Sequence, residues 1–217
     1  MNTIMRKFTI LDSVAAPMLE ANIDTDFIIR AERCVYVKRE DLGFYAFEAA
    51  RYLRVDADVS RSEENPAFVF NREPFRGARI ILGGPNFGCG SSRETAVRAL
   101  EGLGIRCIIA PSFGEIFAGN CYQNGIATIR LPLETVARLG ELFLAQASGA
   151  NLSVDLARQL IRCADGDEIA FDYDPLQKRA LLEGLDEISM TLAMSDRIDA
   201  FQKADRIKRS WIYLDGQ

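Results

Sequence analysis

The stretch from Ala78 to Pro132 restricts the fold more than any other part of the chain. Three short apolar runs, "ARIILGG", "RCIIA" and "IATIRLP", alternate with two stretches of helical character, "SSRETAVRALEGLG" and "GEIFAGNCYQNG". Apolar runs of this length, bounded by turn residues, read as buried strands. In the first helical stretch Ala96, Ala99, Leu100 and Leu103 fall on one face. Ser91 and Glu94 have the spacing of a capping box, and Gly104 supplies a stop. The order β-α-β-α-β predicts parallel strands joined by right-handed crossovers, and hence an α/β fold.

The flanks are less regular. Residues 8–32 mix short strands with a polar turn at Asn22 to Asp26, and "VARLGELFLAQASG" predicts a helix. "DEIAFDY" and "KRALLEGL" predict a late hairpin, and "ISMTLAMSDRIDAFQKADRI" ends in a helix. Between 36 and 66, aromatic residues give way to "DADVSRSEENP", which predicts a partly mobile loop. At 217 residues and 48% hydrophobic content the chain suits one domain, 1–217, with a helical tail from about 193.

Composition narrows the function. A formal net charge of −5 without a long basic run argues against a nucleic-acid or acidic-membrane surface, and "KADRIKRS" reads as a solvated face. The first residues show no secretory signal, and no run approaches the roughly 18 apolar residues of a membrane span. The cysteines, at 34, 89, 107, 121 and 163, form no CxxC pair, the usage of a reducing cytoplasm with inert, mostly buried thiols. There is no histidine, so neither a Ser-His-Asp nor a Cys-His machine can be assembled from this chain alone.

The glycine-rich segment "GGPNFGCGSSRE" lies between the first strand and the first helix. Such a junction turns free N–H groups and the positive helix end toward its contents, a ready anion site; a plain tight turn is the alternative. It is not a Walker A loop, because no lysine is present, and Arg93 stands where the dinucleotide fingerprint needs its third glycine. The GxSxG elbow is also missing. What remains is Ser91-Ser92-Arg93. An arginine at a helix start opposes the dipole and calls for an anion, and a guanidinium grips a carboxylate through two parallel hydrogen bonds. A serine beside it has its alkoxide favoured by the same charges. The pattern points to a serine base acting on a carboxylate-bearing substrate.

"NFGCGSSRE" closely resembles the motif of isopropylmalate isomerase small subunits, which correspond to the swivelling domain of aconitases. "NIDTDFII", "NPAFVFN", "IIAPSFGEIF" with "NCYQNGI", and "LLEGLDEISMTL" look like further landmarks of that family, in order over nearly the whole chain. The resemblance implies a three-layer β/β/α swivelling domain with a mostly parallel central sheet. It implies a hydro-lyase that moves a hydroxyl between adjacent carbons of isopropylmalate in leucine biosynthesis. It also implies a large-subunit partner that carries a [4Fe-4S] cluster, with no cofactor bound by this chain. Carried over residue by residue, Ser91 matches the catalytic base, and Ser92 and Arg93 match the substrate-carboxylate binders. Asp26 matches an aspartate that supports the acid–base machinery by orienting a histidine of the partner. Asp24 is either a member of that group or the cap of an Asx-type turn. Cys89 is expected to be a buried packing thiol.

The chain departs from the family pattern at four residues and in one missing histidine. Thr95-Ala96-Val97-Arg98 replaces the usual His-Ala-Pro-Trp, Arg30 replaces a proline, and a late histidine is missing. Thr95, Val97, Arg98 and Arg30 are expected to surround the substrate pocket and to tune substrate choice rather than chemistry. A hydro-lyase for another alkylmalate, such as a dimethylmalate or homoaconitate-type acid, is one alternative, and a non-catalytic diacid-binding module is another.

Overall fold

A computed structural model describes residues 5–56, 62–145 and 151–213. In chain order the strands are β1 (Ile10–Ser13), β2 (Ala15–Met18), β3 (Tyr52–Arg54), β4 (Glu63–Glu64), β5 (Ile80–Gly83), β6 (Cys107–Ala110), β7 (Ala127–Arg130), β8 (Leu152–Asp155), β9 (Leu160–Arg162) and β10 (Glu168–Ala170). The helices are α1 (Thr25–Ile28), α2 (Arg33–Tyr36), α3 (Glu48–Arg51), α4 (Glu94–Leu103), α5 (Glu115–Gln123), α6 (Leu133–Ala145), α7 (Pro175–Glu183), α8 (Glu187–Leu192) and α9 (Ser195–Lys208).

The expected parallel unit is present. Strands β2, β5, β6 and β7 lie side by side in that order, all parallel, with α4 and α5 as the crossovers. Every residue of β5 and β6 is buried, so their uninterrupted apolar runs are the signature of a sheet covered on both faces. Helix α4 buries Ala96, Val97, Ala99 and Leu100 and ends at Gly104, whose φ of 101° only glycine takes readily. Helix α6 packs against β2, β5 and β6.

A second sheet, β1-β8-β9-β10, is antiparallel throughout. Leu11, Val154, Ile161 and Ile169 stand opposite one another across it and form its apolar side. Ile10, one residue along, is exposed. One-sided burial forces this alternation, just as two-sided burial removes it from the parallel sheet. Only Val14 separates β1 from β2, so the chain passes from one sheet straight into the other. The two sheets and their helices share one continuous core in a β/β/α arrangement.

Two expectations are corrected. "KRALLEGL" is not the second arm of a hairpin, because it belongs to α7. The Asp174 carboxylate accepts from the N–H groups of Leu176 (3.0 Å) and Gln177 (2.9 Å), Pro175 occupies the first turn, and Gly184 closes the helix at φ 71°. The strand β10 pairs instead with β9, upstream of it. Within 36–66 the described residues form a 3-10 turn (Arg39–Tyr45), α3 and the β3–β4 ribbon, while 57–61 lie outside the described residues. Among the described residues no helix is long and apolar enough to cross a membrane.

Candidate active site

The loops that follow β2, β5 and β6 leave the same edge of the parallel sheet, the carboxyl edge where open α/β sheets gather their ligands. The glycine-rich loop runs between the other two and is bonded to both. On one side Gly84 N–H donates to Met18 (3.0 Å), Asn22 N–H to Pro85 (2.9 Å) and Gly88 N–H to Ile23 (2.7 Å). On the other, Phe87 N–H donates to the Ser112 carbonyl and Gly114 N–H to Phe87, both at 3.0 Å. The loop therefore prolongs the sheet as an irregular strand. Phe87 is wholly buried, with its ring 5.8 Å from that of Phe117. Two glycines are needed for this closeness. A Cβ on Gly84 would run into the Glu20 carbonyl, and one on Gly88, at φ 73°, would enter the Phe117 ring.

Beyond Gly88 the chain turns outward. Thr25, buried in the first turn of α1, donates its N–H to Cys89 (2.9 Å) and its hydroxyl to the Ser91 carbonyl (3.0 Å). Arg93 N–H donates to the same carbonyl at 2.8 Å. These bonds hold Ser91 out of helical register, so the expected capping box does not form. Helix α4 starts at Glu94, Arg93 is its N-cap residue, and no side chain caps it. The Glu94 carboxylate instead accepts from Arg98 (2.8 Å) and Asn124 (3.2 Å). Arg98 and Asn124 hold that carboxyl below its usual range, against the desolvation that raises it. Among the described residues the hydroxyls of Ser91 and Ser92 have no intramolecular partner, and both residues are exposed. They line a cleft of about 340 Å³ with Cys89, Gly90, Glu115 and Phe117.

Asp26 completes the group. It sits in the first turn of α1 and forms an ion pair with Arg93, whose guanidinium is held still more firmly charged by that bond. The anion that Arg93 called for is thus supplied first from within the chain. Asp24 takes the other role open to it and caps α1, accepting from Phe27 N–H at 2.7 Å. The structure brings Ser91, Ser92, Arg93 and Asp26 to one edge of the sheet from segments more than sixty residues apart.

The aconitase C-terminal domain family matches residues 5–134, and the LeuD_N family matches 141–175. The 3-isopropylmalate dehydratase small subunit of Gluconacetobacter diazotrophicus is 48% identical over 207 residues, covering 95% of this chain and 97% of that one. The small subunit of the same name from Paramagnetospirillum magneticum is 45% identical over 208 residues, 96% of this chain and 100% of that one. The chain belongs to the 3-isopropylmalate dehydratase small-subunit family. A crystal structure of 3-isopropylmalate dehydratase from Methanocaldococcus jannaschii superimposes with a TM-score of 0.60, over 89% of this chain and 99% of that one, at 22% identity. It shares the fold.

Within this small-subunit frame the four departures do not line the cleft beside Ser91. Val97 is wholly buried in the core, and Arg98 is paired along its own helix with Glu94. Arg30 lies near Glu48 (3.5 Å) and Glu32 (3.6 Å), and Thr95 is half-buried. Closeness in sequence to the motif is not closeness to the pocket, because successive helix positions point in different directions. Cys89 also needs correcting. It is half-buried and forms part of the cleft wall rather than packing in the core. By contrast Cys107 and Cys121 are fully buried, and burial pushes both thiols well up. Among the described residues no three His, Cys, Asp or Glu side chains converge to hold a metal. Thr25 and Ser112, which fix the loop from either side, had no local sequence signal beyond the threonine between two aspartates.

Proposed function

We propose that this chain is the small subunit of 3-isopropylmalate dehydratase, a hydro-lyase that interconverts 2- and 3-isopropylmalate in leucine biosynthesis. It is a single swivelling domain, with the segment from about 193 as an appended helical tail, and it works in the cytoplasm. It completes an active site whose other wall, with the [4Fe-4S] cluster, belongs to a large subunit. The observation that carries this reading is the exposed Ser91 hydroxyl, without a partner among the described residues, two residues from a guanidinium paired with Asp26.

In this arrangement Ser91 takes the proton from the carbon beside a substrate carboxylate and returns one in the reverse direction. A serine hydroxyl serves as a base only where its ionised form is stabilised. Here Arg93 and the start of α4 supply positive charge at a site the large subunit can close against water. Arg93 keeps donors free beyond the one given to Asp26, and with the Ser92 hydroxyl it grips a substrate carboxylate. Asp26 acts through Arg93, setting the plane of its fork. Reconstitution with a cluster-bearing large subunit tests the reading. Activity should be absent from the isolated chain and appear in the complex, with isopropylmalate preferred over dimethylmalate and homoaconitate-type acids. A complex without hydro-lyase activity, or an isolated chain that binds diacids tightly by itself, would reject it.

A further inference from the structure

Helix α4 begins without a side-chain cap although its own sequence carries one. Arg93 is the N-cap residue and makes no capping bond, while Ser91 and Glu94 stand at the spacing of a capping box. In a helix capped by Ser91, the serine hydroxyl would accept from Glu94 N–H. The Ser91 carbonyl would accept from Thr95 N–H, the first bond of the ladder. Neither bond is present. The Ser91 carbonyl is held instead by the Thr25 hydroxyl (3.0 Å) and by Arg93 N–H (2.8 Å), and Ala96 N–H donates to Arg93 (3.1 Å). The difference matters for the hydroxyl. As a cap it would point at its own helix, whereas here it is exposed at the cleft.

Thr25 is placed to decide between the two arrangements. It is 1% exposed, and its N–H donates to the Cys89 carbonyl (2.9 Å), so its backbone is tied to the same loop that its hydroxyl holds. Both neighbours are committed elsewhere, Asp24 to Phe27 N–H (2.7 Å) and Asp26 to Arg93. A β-branched side chain has few rotamers, and this backbone leaves the hydroxyl little choice of direction. A helix cap and a buried hydrogen bond stabilise by similar amounts, so losing the Thr25 donor makes capping the better use of Ser91. We propose that Thr25 is a positioning residue for Ser91, holding its carbonyl so that its hydroxyl stays at the cleft instead of capping α4. The proposal rests on Ser91 as the base.

Kinetics of the reconstituted complex and amide hydrogen exchange of the full chain test it together. Thr25→Val keeps the shape and removes the donor, and it should lower kcat by about tenfold to a hundredfold, the range that misplacing a reactive group costs. Thr25→Ser keeps the donor and should recover most of that loss. In Thr25→Val the Thr95 N–H should exchange about tenfold more slowly than in the unaltered chain, because it closes the first bond of a longer helix. A bond lost without a competing cap would leave that amide as fast as before or faster. Unchanged kcat in Thr25→Val, equal losses in the two variants, or an unslowed Thr95 amide would overturn the proposal. Ser91→Ala in the same assay keeps the two assignments apart. Full turnover there would sink the base and the proposal with it, whereas a large loss beside an unimpaired Thr25→Val complex would sink the role of Thr25 alone.

Discussion

The glycine-rich loop has two halves that obey opposite rules. From Gly83 to Gly88 the backbone is buried apart from the shoulder at Pro85 and Asn86, bonded on both sides, and so close to Glu20 and Phe117 that side chains are excluded at Gly84 and Gly88. From Gly90 to Ser92 it is exposed, its hydroxyls are unpartnered among the described residues, and a Cβ on Gly90 would come no nearer than 3.4 Å to any neighbour. The first half behaves as core and the second as site. The difference shows how a flexible composition yields a fixed hydroxyl. Rigidity is built one turn upstream and in the bond from Thr25 to the Ser91 carbonyl, and the serine hydroxyls extend from that frame.

Substitutions should separate the halves by what they change. The largest effect is expected in the exposed half and in turnover alone. Ser91→Ala in the reconstituted complex should lower kcat by about 10²–10⁴, the usual cost of a lost general base. The melting temperature should stay put, because Ser91 does not cap α4. Near-normal turnover would remove the base. In the buried half Gly88→Ala should cost about 3 kcal/mol, combining overpacking against Phe117 with a left-handed backbone. Calorimetry would register this as a drop of roughly 6–12 °C for a chain of this size. Unaltered melting would mean that the front of the loop is not core.

Arg93→Lys tests the hinge between the halves. It keeps the charge but loses the planar fork, so kcat/KM should fall by about 1.5–3 kcal/mol, or tenfold to a hundredfold, with little change in melting. Unchanged kinetics would confine Arg93 to its pair with Asp26. The smallest effect is expected at Gly90→Ala. With space around it but φ at 91°, only the backbone term of about 1–2 kcal/mol applies, and denaturant titration should read less than for Gly88→Ala. A larger loss at Gly90 than at Gly88 would invert the comparison.

Much of the parallel core was legible because two-sided burial leaves unbroken apolar runs in β5 and β6, short and bounded by turn residues. The motif residues were legible because an arginine at a helix start next to glycines and serines has few structural explanations. Other features were hidden for identifiable reasons. Ser91 and Glu94 have capping-box spacing, but a hydrogen bond from Thr25, sixty-six residues upstream, prevents the box, and no local pattern reports a bond of that span. "KRALLEGL" follows a strand and resembles a hairpin arm, but Asp174-Pro175 just before it marks a helix start. Val97 and Arg98 follow the motif directly in sequence but not in direction. Rotation around α4 carries one into the core and the other back along its own helix.

The bond from the Thr25 hydroxyl to the Ser91 carbonyl bears on whether the motif is portable. Excised as a peptide, or grafted between a strand and a helix elsewhere, "GGPNFGCGSSRE" would keep every reactive residue and lose the neighbours that aim them. The site belongs to three loops at once. A host would have to import the segments around Asn22–Asp26 and Pro111–Gly114 as well, at their native spacing, before the graft could hold a carboxylate.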